Sequence, residues 1–61
     1  MPRLNSSCLA WVEYDFDSGT MYVRFRNGGS YTLHVPERHY YGLLNATSPG
    51  RYWNYYLKGR Y

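Results

Sequence analysis

The first clear pattern in the chain is an alternation of apolar and polar residues in "CLAWVEYDF". One set of alternate positions comprises Ala10, Val12, Tyr14 and Phe16. The other set comprises Leu9, Trp11, Glu13 and Asp15. Because successive side chains of a strand point to opposite faces, this period of two predicts a β-strand. Asp17, Ser18 and Gly19 follow as turn residues, so we expect the strand to end there.

Two further strands are predicted by the same period. In "TMYVRFR" the core-facing set is Met21, Val23 and Phe25, and the outward set is Tyr22, Arg24 and Arg26. In "SYTLHV" the core-facing set is Tyr31, Leu33 and Val35, opposite Ser30, Thr32 and His34. The "NGG" between them predicts a type I′ hairpin turn, which needs positive φ at both central positions. Three strands joined by tight turns predict an antiparallel meander.

The pattern changes to a helical one after Pro36, a residue that suits a helix start. Tyr40, Leu43 and Leu44 form one stripe. Gly42 either weakens this helix or lies where helix and sheet approach closely. Ser48 and Pro49 predict the start of a second helix that Gly59 ends. Its buried stripe would be Trp53, Tyr56 and Leu57; as a fourth strand the segment would instead align Trp53, Tyr55 and Leu57. The fold class is therefore α+β: a three-stranded antiparallel meander, then a helix and a second short helix (or fourth strand) packed on one face.

Composition adds that residues 1–61 form one small domain with few means of stabilisation. The single cysteine, Cys8, excludes an intrachain disulfide, and no zinc-ligand spacing is present. Aromatic residues make up 21% of the chain, so we expect them to supply much of the core. No segment is apolar enough for a signal peptide or membrane span, which predicts a cytoplasmic protein without membrane contact.

Charge is distributed unevenly along the chain. The net charge is +3, and all four acids lie within the first 37 residues. Residues 38–61 contain only basic charges, Arg38, Arg51, Lys58 and Arg60. Such an asymmetry indicates an anionic partner, although a modest net charge also serves solubility alone.

The order of these motifs resembles the KTSC domain family. The resemblance includes "SSCLAWVEYD", with Ser6, Ser7, Leu9, Tyr14 and Asp15. It continues through "GTMYVRFRNGGSYTLHVP", with Gly19, Val23, Phe25, Gly28 or Gly29, Tyr31, Val35 and Pro36. It ends in "ATSPGRYWN", with Ala46, Ser48, Gly50, Tyr52 and Asn54. The motifs are individually weak, but their order and spacing over nearly the whole chain are specific.

The resemblance implies a module of about sixty residues, which occurs at the C-terminus of some lysyl-tRNA synthetases and alone in bacteria and phages. RNA binding is implied only by that attachment to a synthetase. This chain departs from the family in one motif, because a Tyr-x-Tyr is replaced by Tyr31-Thr32-Leu33. If both tyrosines of the motif bind a ligand, half of that pair is missing here.

Catalysis is not predicted. Cys8 with His34 or His39 could form a nucleophile and base, but lone cysteines are more often inert small residues. Glu13, Asp15 and Asp17 could hold a divalent cation, yet acids beside a turn more often cap its backbone. We therefore expect no catalytic residue, no metal and no cofactor.

Binding chemistry is better represented, because aromatic faces stack bases and cations neutralise phosphates. The sequence predicts a non-enzymatic module for RNA or a nucleotide ligand, with binding residues Arg24, Arg26, Arg51, Tyr55, Lys58 and Arg60. The alternative is a protein–protein interaction module that uses an open sheet face at Leu9, Trp11 and Tyr22. That face could form a homodimer or, in a stand-alone phage-type protein, bind and inhibit a host protein.

Overall fold

The computed structural model describes residues 8–61, so Asn5, Ser6 and Ser7 lie outside the described part. The sheet contains β1 (Leu9–Asp15), β2 (Thr20–Phe25) and β3 (Ser30–His34), antiparallel and in the order β1-β2-β3. Two helical segments follow, α1 (Glu37–Asn45) and α2 (Pro49–Tyr52). The second continues directly into a π-helical turn (Trp53–Leu57), and we call Pro49–Leu57 the C-terminal helix. The predicted meander and two helices are confirmed, and the segment is a helix rather than a fourth strand.

Both turns of the meander depend on a glycine with positive φ. Gly19 (φ 71°) donates its N–H to the Asp15 carbonyl at 2.8 Å and closes the first turn. In the second turn only Gly28 (φ 99°) has positive φ, and the Gly28 N–H bonds the Phe25 carbonyl at 3.0 Å. The predicted type I′ turn is therefore wrong, since a longer turn with one left-handed glycine connects β2 to β3.

A β-bulge in β1 changes which side chains reach the core. Leu9 pairs with Phe25 and Trp11 pairs with Arg24, so Ala10 is an extra residue between two consecutive partners. The extra residue rotates the strand and brings Leu9 to the same face as Val12; both side chains are fully buried. The prediction that Leu9 lies on the open sheet face is therefore wrong, because strict alternation does not hold across a bulge.

The core lies between one face of the sheet and the two helical segments, and it is mainly aliphatic. Its buried members are Leu9, Val12, Met21, Val23, Leu33, Val35, Leu43, Trp53 and Leu57. Trp53 is the only aromatic residue in this buried set, and many other rings are partly or largely exposed. The expectation that aromatic residues supply much of the core is thus only partly correct. Within residues 8–61, none of the helices has the length and apolar character needed to cross a membrane.

The C-terminal helix begins at the predicted serine cap and ends in a π-helical turn. Ser48 is its N-cap, and the Arg51 N–H approaches the Ser48 hydroxyl oxygen at 3.5 Å, while Pro49 is the first helical residue. The π-helical turn keeps Trp53 and Leu57 on the buried face, but its wider winding rotates Tyr56 away. Tyr56 is 54% exposed, so the expectation of a buried Tyr56 is wrong.

Candidate functional site

A cleft lies between the β2–β3 turn and the C-terminal helix, and aromatic rings form its wall. Phe25, Tyr31 and Trp53 all line it, with ring centroids 5.3–5.4 Å apart in each pair. Each strand of the hairpin contributes one ring and the helix contributes the third. The volume of the cleft is about 260 Å³. We call it the aromatic cleft.

The polar part of the aromatic cleft comes from one stripe of the C-terminal helix and from the facing turn. Gly50, Asn54 and Lys58 are spaced four residues apart and all line the cleft. The π-helical turn places Lys58 one turn beyond Trp53, because the Lys58 N–H bonds the Trp53 carbonyl at 2.7 Å. Asn27 lies opposite on the β2–β3 turn, where its side-chain oxygen accepts from the Gly29 N–H at 3.0 Å. A cation and amide groups therefore surround the rings.

A second, smaller cavity continues the aromatic cleft toward the end of the chain. Its volume is about 110 Å³, and it shares Tyr31, Trp53 and Lys58 with the cleft. Tyr61 lies on its far side and is 51% exposed. The three shared residues thus separate two adjacent recesses, so two flat groups of one extended ligand could occupy them in succession.

Only some of the residues predicted to bind nucleic acid lie at or beside the aromatic cleft. Lys58 lines both recesses, and Arg26 lies in the chain between Phe25 and Asn27, which line the aromatic cleft. Arg24 is on the opposite face of the sheet, where it pairs with Trp11. The remaining residues are exposed on and beyond the C-terminal helix; these are Arg51, Tyr55 and Arg60. The Arg60 Nε donates to the Tyr55 carbonyl at 3.2 Å, which holds these two together.

The sequence predicted all three cleft rings as core residues and so did not name them as binding residues. Trp53 is buried in the core and also lines the cleft, and Phe25 is partly buried against that core. Phe25 and Tyr31 do occupy the core-facing side of their strands, but they lie at the sheet end where no described helix covers them fully. Tyr31 is 54% exposed for this reason. The signal in the sequence was the position of both rings beside a glycine-containing turn, where small residues leave space next to large ones.

The open sheet face is less apolar than predicted. Leu9 is buried on the other face, which leaves Trp11, half-buried, and Tyr22, 40% exposed. Arg24 and Thr32 are the paired neighbours of these two rings. The predicted protein interface therefore loses one of its three apolar members.

A separate polar cluster lies between α1 and the end of the chain. His39 is buried, and its Nδ1 lies 3.0 Å from the Tyr52 hydroxyl while its Nε2 lies 3.3 Å from the Tyr61 hydroxyl. Burial, and secondarily the charge of Arg38, lowers the pKa of His39 below its ordinary value of 6.5. Burial also raises the pKa of Tyr52 above 10.0. A neutral imidazole satisfies this arrangement, with one nitrogen donating and the other accepting.

The suggested pairing of Cys8 with a histidine base is not observed, because neither His34 nor His39 lines the aromatic cleft where Cys8 lies. Cys8 is exposed and lines the cleft, whereas His34 pairs with Thr20 at the other end of the sheet. Of the acidic residues near the first turn, Asp15 caps it, since the Asp15 carboxylate accepts from the Asp17 N–H at 3.0 Å. Among residues 8–61, no group of three or more His, Cys, Asp or Glu side chains could hold a metal ion.

Comparison with known proteins gives the family. No curated protein matches the chain. The structure is similar to the crystal structure of the KTSC domain protein YPO2434 from Yersinia pestis, with a TM-score of 0.89 and 33% sequence identity. That match covers 97% of this chain and 84% of the other. The family model described as "KTSC domain" matches residues 5–61. With the motifs, the meander and the helix order in agreement, the chain belongs to the KTSC domain family.

Proposed function

We propose that this protein is a non-enzymatic module that binds single-stranded RNA or one of its nucleotides in the aromatic cleft. The observation that carries the proposal is the combination of three rings, Phe25, Tyr31 and Trp53, with Lys58 in the lining of one recess. Stacking on such rings holds bases, and a cation beside them neutralises phosphate. The chemistry agrees with the basic charge of residues 38–61.

The size of the recess favours a base or nucleotide over a larger ligand. Sites for drug-sized molecules have volumes of roughly 300–1,000 Å³. The aromatic cleft, at about 260 Å³, lies just below that range. The adjoining recess of about 110 Å³ lies on the other side of Tyr31, Trp53 and Lys58. Two neighbouring bases of a strand could therefore bind with Lys58 beside the phosphate that joins them.

The proposal is for a cytoplasmic protein of bacterial or phage type, where single-stranded RNA is available. In this proposal Arg26 and Arg51 provide additional contacts to RNA phosphates, because each is adjacent in sequence to a residue that lines the cleft. Arg24 is not included, since it lies on the opposite face of the sheet. Tyr55 and Arg60, held together by their hydrogen bond, would contact only a longer strand.

The test is a titration of a labelled oligouridine into the protein at about 50 and 200 mM salt, where counterion release has a large effect. We expect binding at low salt that weakens at high salt. Tyr31→Ala should lower the affinity by about 5- to 100-fold, the value of one stacked base. Lys58→Gln should lower the slope of log affinity against log salt by about one.

Matched controls come from the far side of the molecule. Tyr41 is 48% exposed, similar to Tyr31, but lies on α1 away from the cleft, so Tyr41→Ala should leave RNA affinity unchanged. Arg24→Gln removes one positive charge, as Lys58→Gln does, from the opposite sheet face. Absence of binding at 50 mM salt would refute the proposal. Equal losses for Tyr31→Ala and Tyr41→Ala would show that the cleft is not the site.

A further inference from the structure

A second aromatic surface lies at the other end of the molecule, beside the β1–β2 turn. Tyr14, Phe16, Tyr40 and Tyr41 form a continuous cluster with centroid separations between 4.9 and 6.3 Å. Phe16 is 56% exposed and Tyr41 48% exposed. Phe16 has no polar group to hydrate, so its exposure in a domain this small leaves apolar area uncovered. We call these four residues the aromatic surface.

Carboxylates surround this surface. Glu13, Asp15 and Asp17 line a shallow groove together with Tyr14, Phe16 and Tyr22. The volume of the groove is about 480 Å³, and no lysine or arginine of the described chain lines it. The fourth acid, Glu37, lies one helical turn before Tyr41 on α1. All four acids of the sequence thus lie at the end that carries the aromatic surface.

The basic residue of α1, Arg38, does not line the groove. The groove therefore presents negative charge and ring faces without an internal cation among the residues that line it. This polarity disfavours phosphate, so it argues against RNA or an anionic membrane as the occupant.

We propose that the aromatic surface and its groove bind an arginine-containing segment of a partner protein. A guanidinium group stacks on Tyr and Phe faces and forms paired hydrogen bonds with carboxylates. Arginine is favoured over lysine because it is more weakly hydrated and its planar group can do both at once. The charge complementarity of the groove selects this occupant over an apolar or acidic segment.

This binding is separate from the proposed RNA site. The groove lies at the β1–β2 turn and the aromatic cleft at the β2–β3 turn, which are at opposite ends of β2. β2 contains six residues. With five steps of about 3.3 Å between the first and last residue, the two ends are roughly 17 Å apart. The partner segment and an RNA strand could therefore bind together, and either proposal can fail without the other.

The probe is a blocked pentapeptide with arginine at its second and fourth positions and glycine elsewhere. Its control is the same peptide with neutral citrulline in place of arginine. Titration into the isotopically labelled protein, followed by amide chemical shifts, should perturb residues 13–17 and 40–41 with the arginine peptide. The citrulline peptide should produce no saturable change, because it retains the shape but not the charge.

Three variants separate a specific site from general attraction. Phe16→Leu keeps an apolar side chain but removes the ring, and should weaken binding about two- to fivefold. Asp15→Asn and Asp17→Asn keep amide oxygens that can still cap the turn, and each should weaken binding by up to about fivefold. Tyr55→Leu is the matched control, since Tyr55 is 67% exposed and lies on the C-terminal helix. It should have no effect.

The outcomes that overturn the proposal are distinct. Equal binding of the arginine and citrulline peptides would show that charge does not matter. Equal losses from Phe16→Leu and Tyr55→Leu would show that any exposed ring suffices. Shifts confined to the β2–β3 end would locate the peptide elsewhere, and saturable shifts of residues 13–17 with oligouridine would show that the surface accepts anions.

Discussion

Substitution of Gly42 by alanine tests how closely α1 and the C-terminal helix approach. A Cβ atom at Gly42 would overlap the hydroxyl oxygen and Cζ of Tyr52, and would lie 2.7 Å from its Cε2. The Tyr52 ring cannot move away freely, because its hydroxyl bonds His39 and its ring contacts Tyr56 at a centroid distance of 4.7 Å. Gly42→Ala must therefore displace a ring that two other residues hold.

The expected magnitude follows from three opposing contributions. Replacing glycine within a helix stabilises it by about 1 kcal/mol. Overpacking costs about 1–3 kcal/mol, and loss of the His39–Tyr52 hydrogen bond costs about 1 kcal/mol more. The net change is a loss of about 1–3 kcal/mol in the free energy of unfolding. For a domain of this size, each 1 kcal/mol lowers Tm by roughly 4–8 °C.

The assay is urea unfolding followed by tryptophan fluorescence, with a double-mutant cycle between Gly42 and Tyr52. In a Tyr52→Ala background the space is free, so Gly42→Ala should become stabilising by up to about 1 kcal/mol. In a Tyr52→Phe background the ring carbons remain, so Gly42→Ala should still destabilise. A Gly42→Ala protein as stable as the parent would refute this reasoning, as would an unchanged loss in the Tyr52→Ala background.

Two further predictions concern the core and the polar cluster. Leu9→Ala should lower the free energy of unfolding by about 2–5 kcal/mol, because the side chain is fully buried. A loss below about 0.5 kcal/mol, measured by urea unfolding, would contradict the burial of Leu9 and indicate that it lies on the open sheet face. Folding lowers the pKa of His39 from 6.5, so the unfolded chain binds a proton more readily and the free energy of unfolding should fall as pH drops below about 6.5. Folding raises the pKa of Tyr52 from 10.0, so the free energy of unfolding should also fall as pH rises above about 10. A series of urea midpoints against pH measures both effects, and His39→Gln should flatten the decrease on the acid side.

The order and type of the elements could be predicted because local signals determine them. Alternation over the three strands, turn glycines such as Gly19, and Pro49 after a serine cap each depend on residues close in sequence. The family resemblance agrees for the same reason, since its motifs mark those turns and strand ends. Fold class therefore follows from short-range patterns alone.

What could not be predicted depends on single residues that change a period. The bulge at Ala10 transfers Leu9 to the core, and the π-helical turn rotates Tyr56 to the surface. Neither feature has a strong local sequence signal, because the packing of the whole sheet and helix decides it. Alternation and helical periodicity gave the wrong face for these two residues.

The candidate site was predicted in part for a related reason. Lys58 was identified by charge and Trp53 was correctly assigned to the core, but Tyr31 was not expected at the surface, because a ring that faces a core and a ring that lines a cleft have the same period. The difference is whether another element covers the ring at the end of the sheet. That depends on where the C-terminal helix ends relative to the β2–β3 turn, which no short-range pattern specifies.

The meander places acidic and basic residues at opposite ends of the sheet. The acids of the first half gather at the β1–β2 turn, and Lys58 lies beside the β2–β3 turn. Roughly 17 Å separates the two ends along β2, whereas exposed charges are screened beyond about 8 Å at physiological salt. Attraction of a phosphate at one end is therefore little reduced by the carboxylates at the other. A net charge of only +3 is accordingly compatible with two surfaces of opposite sign at the two ends of β2.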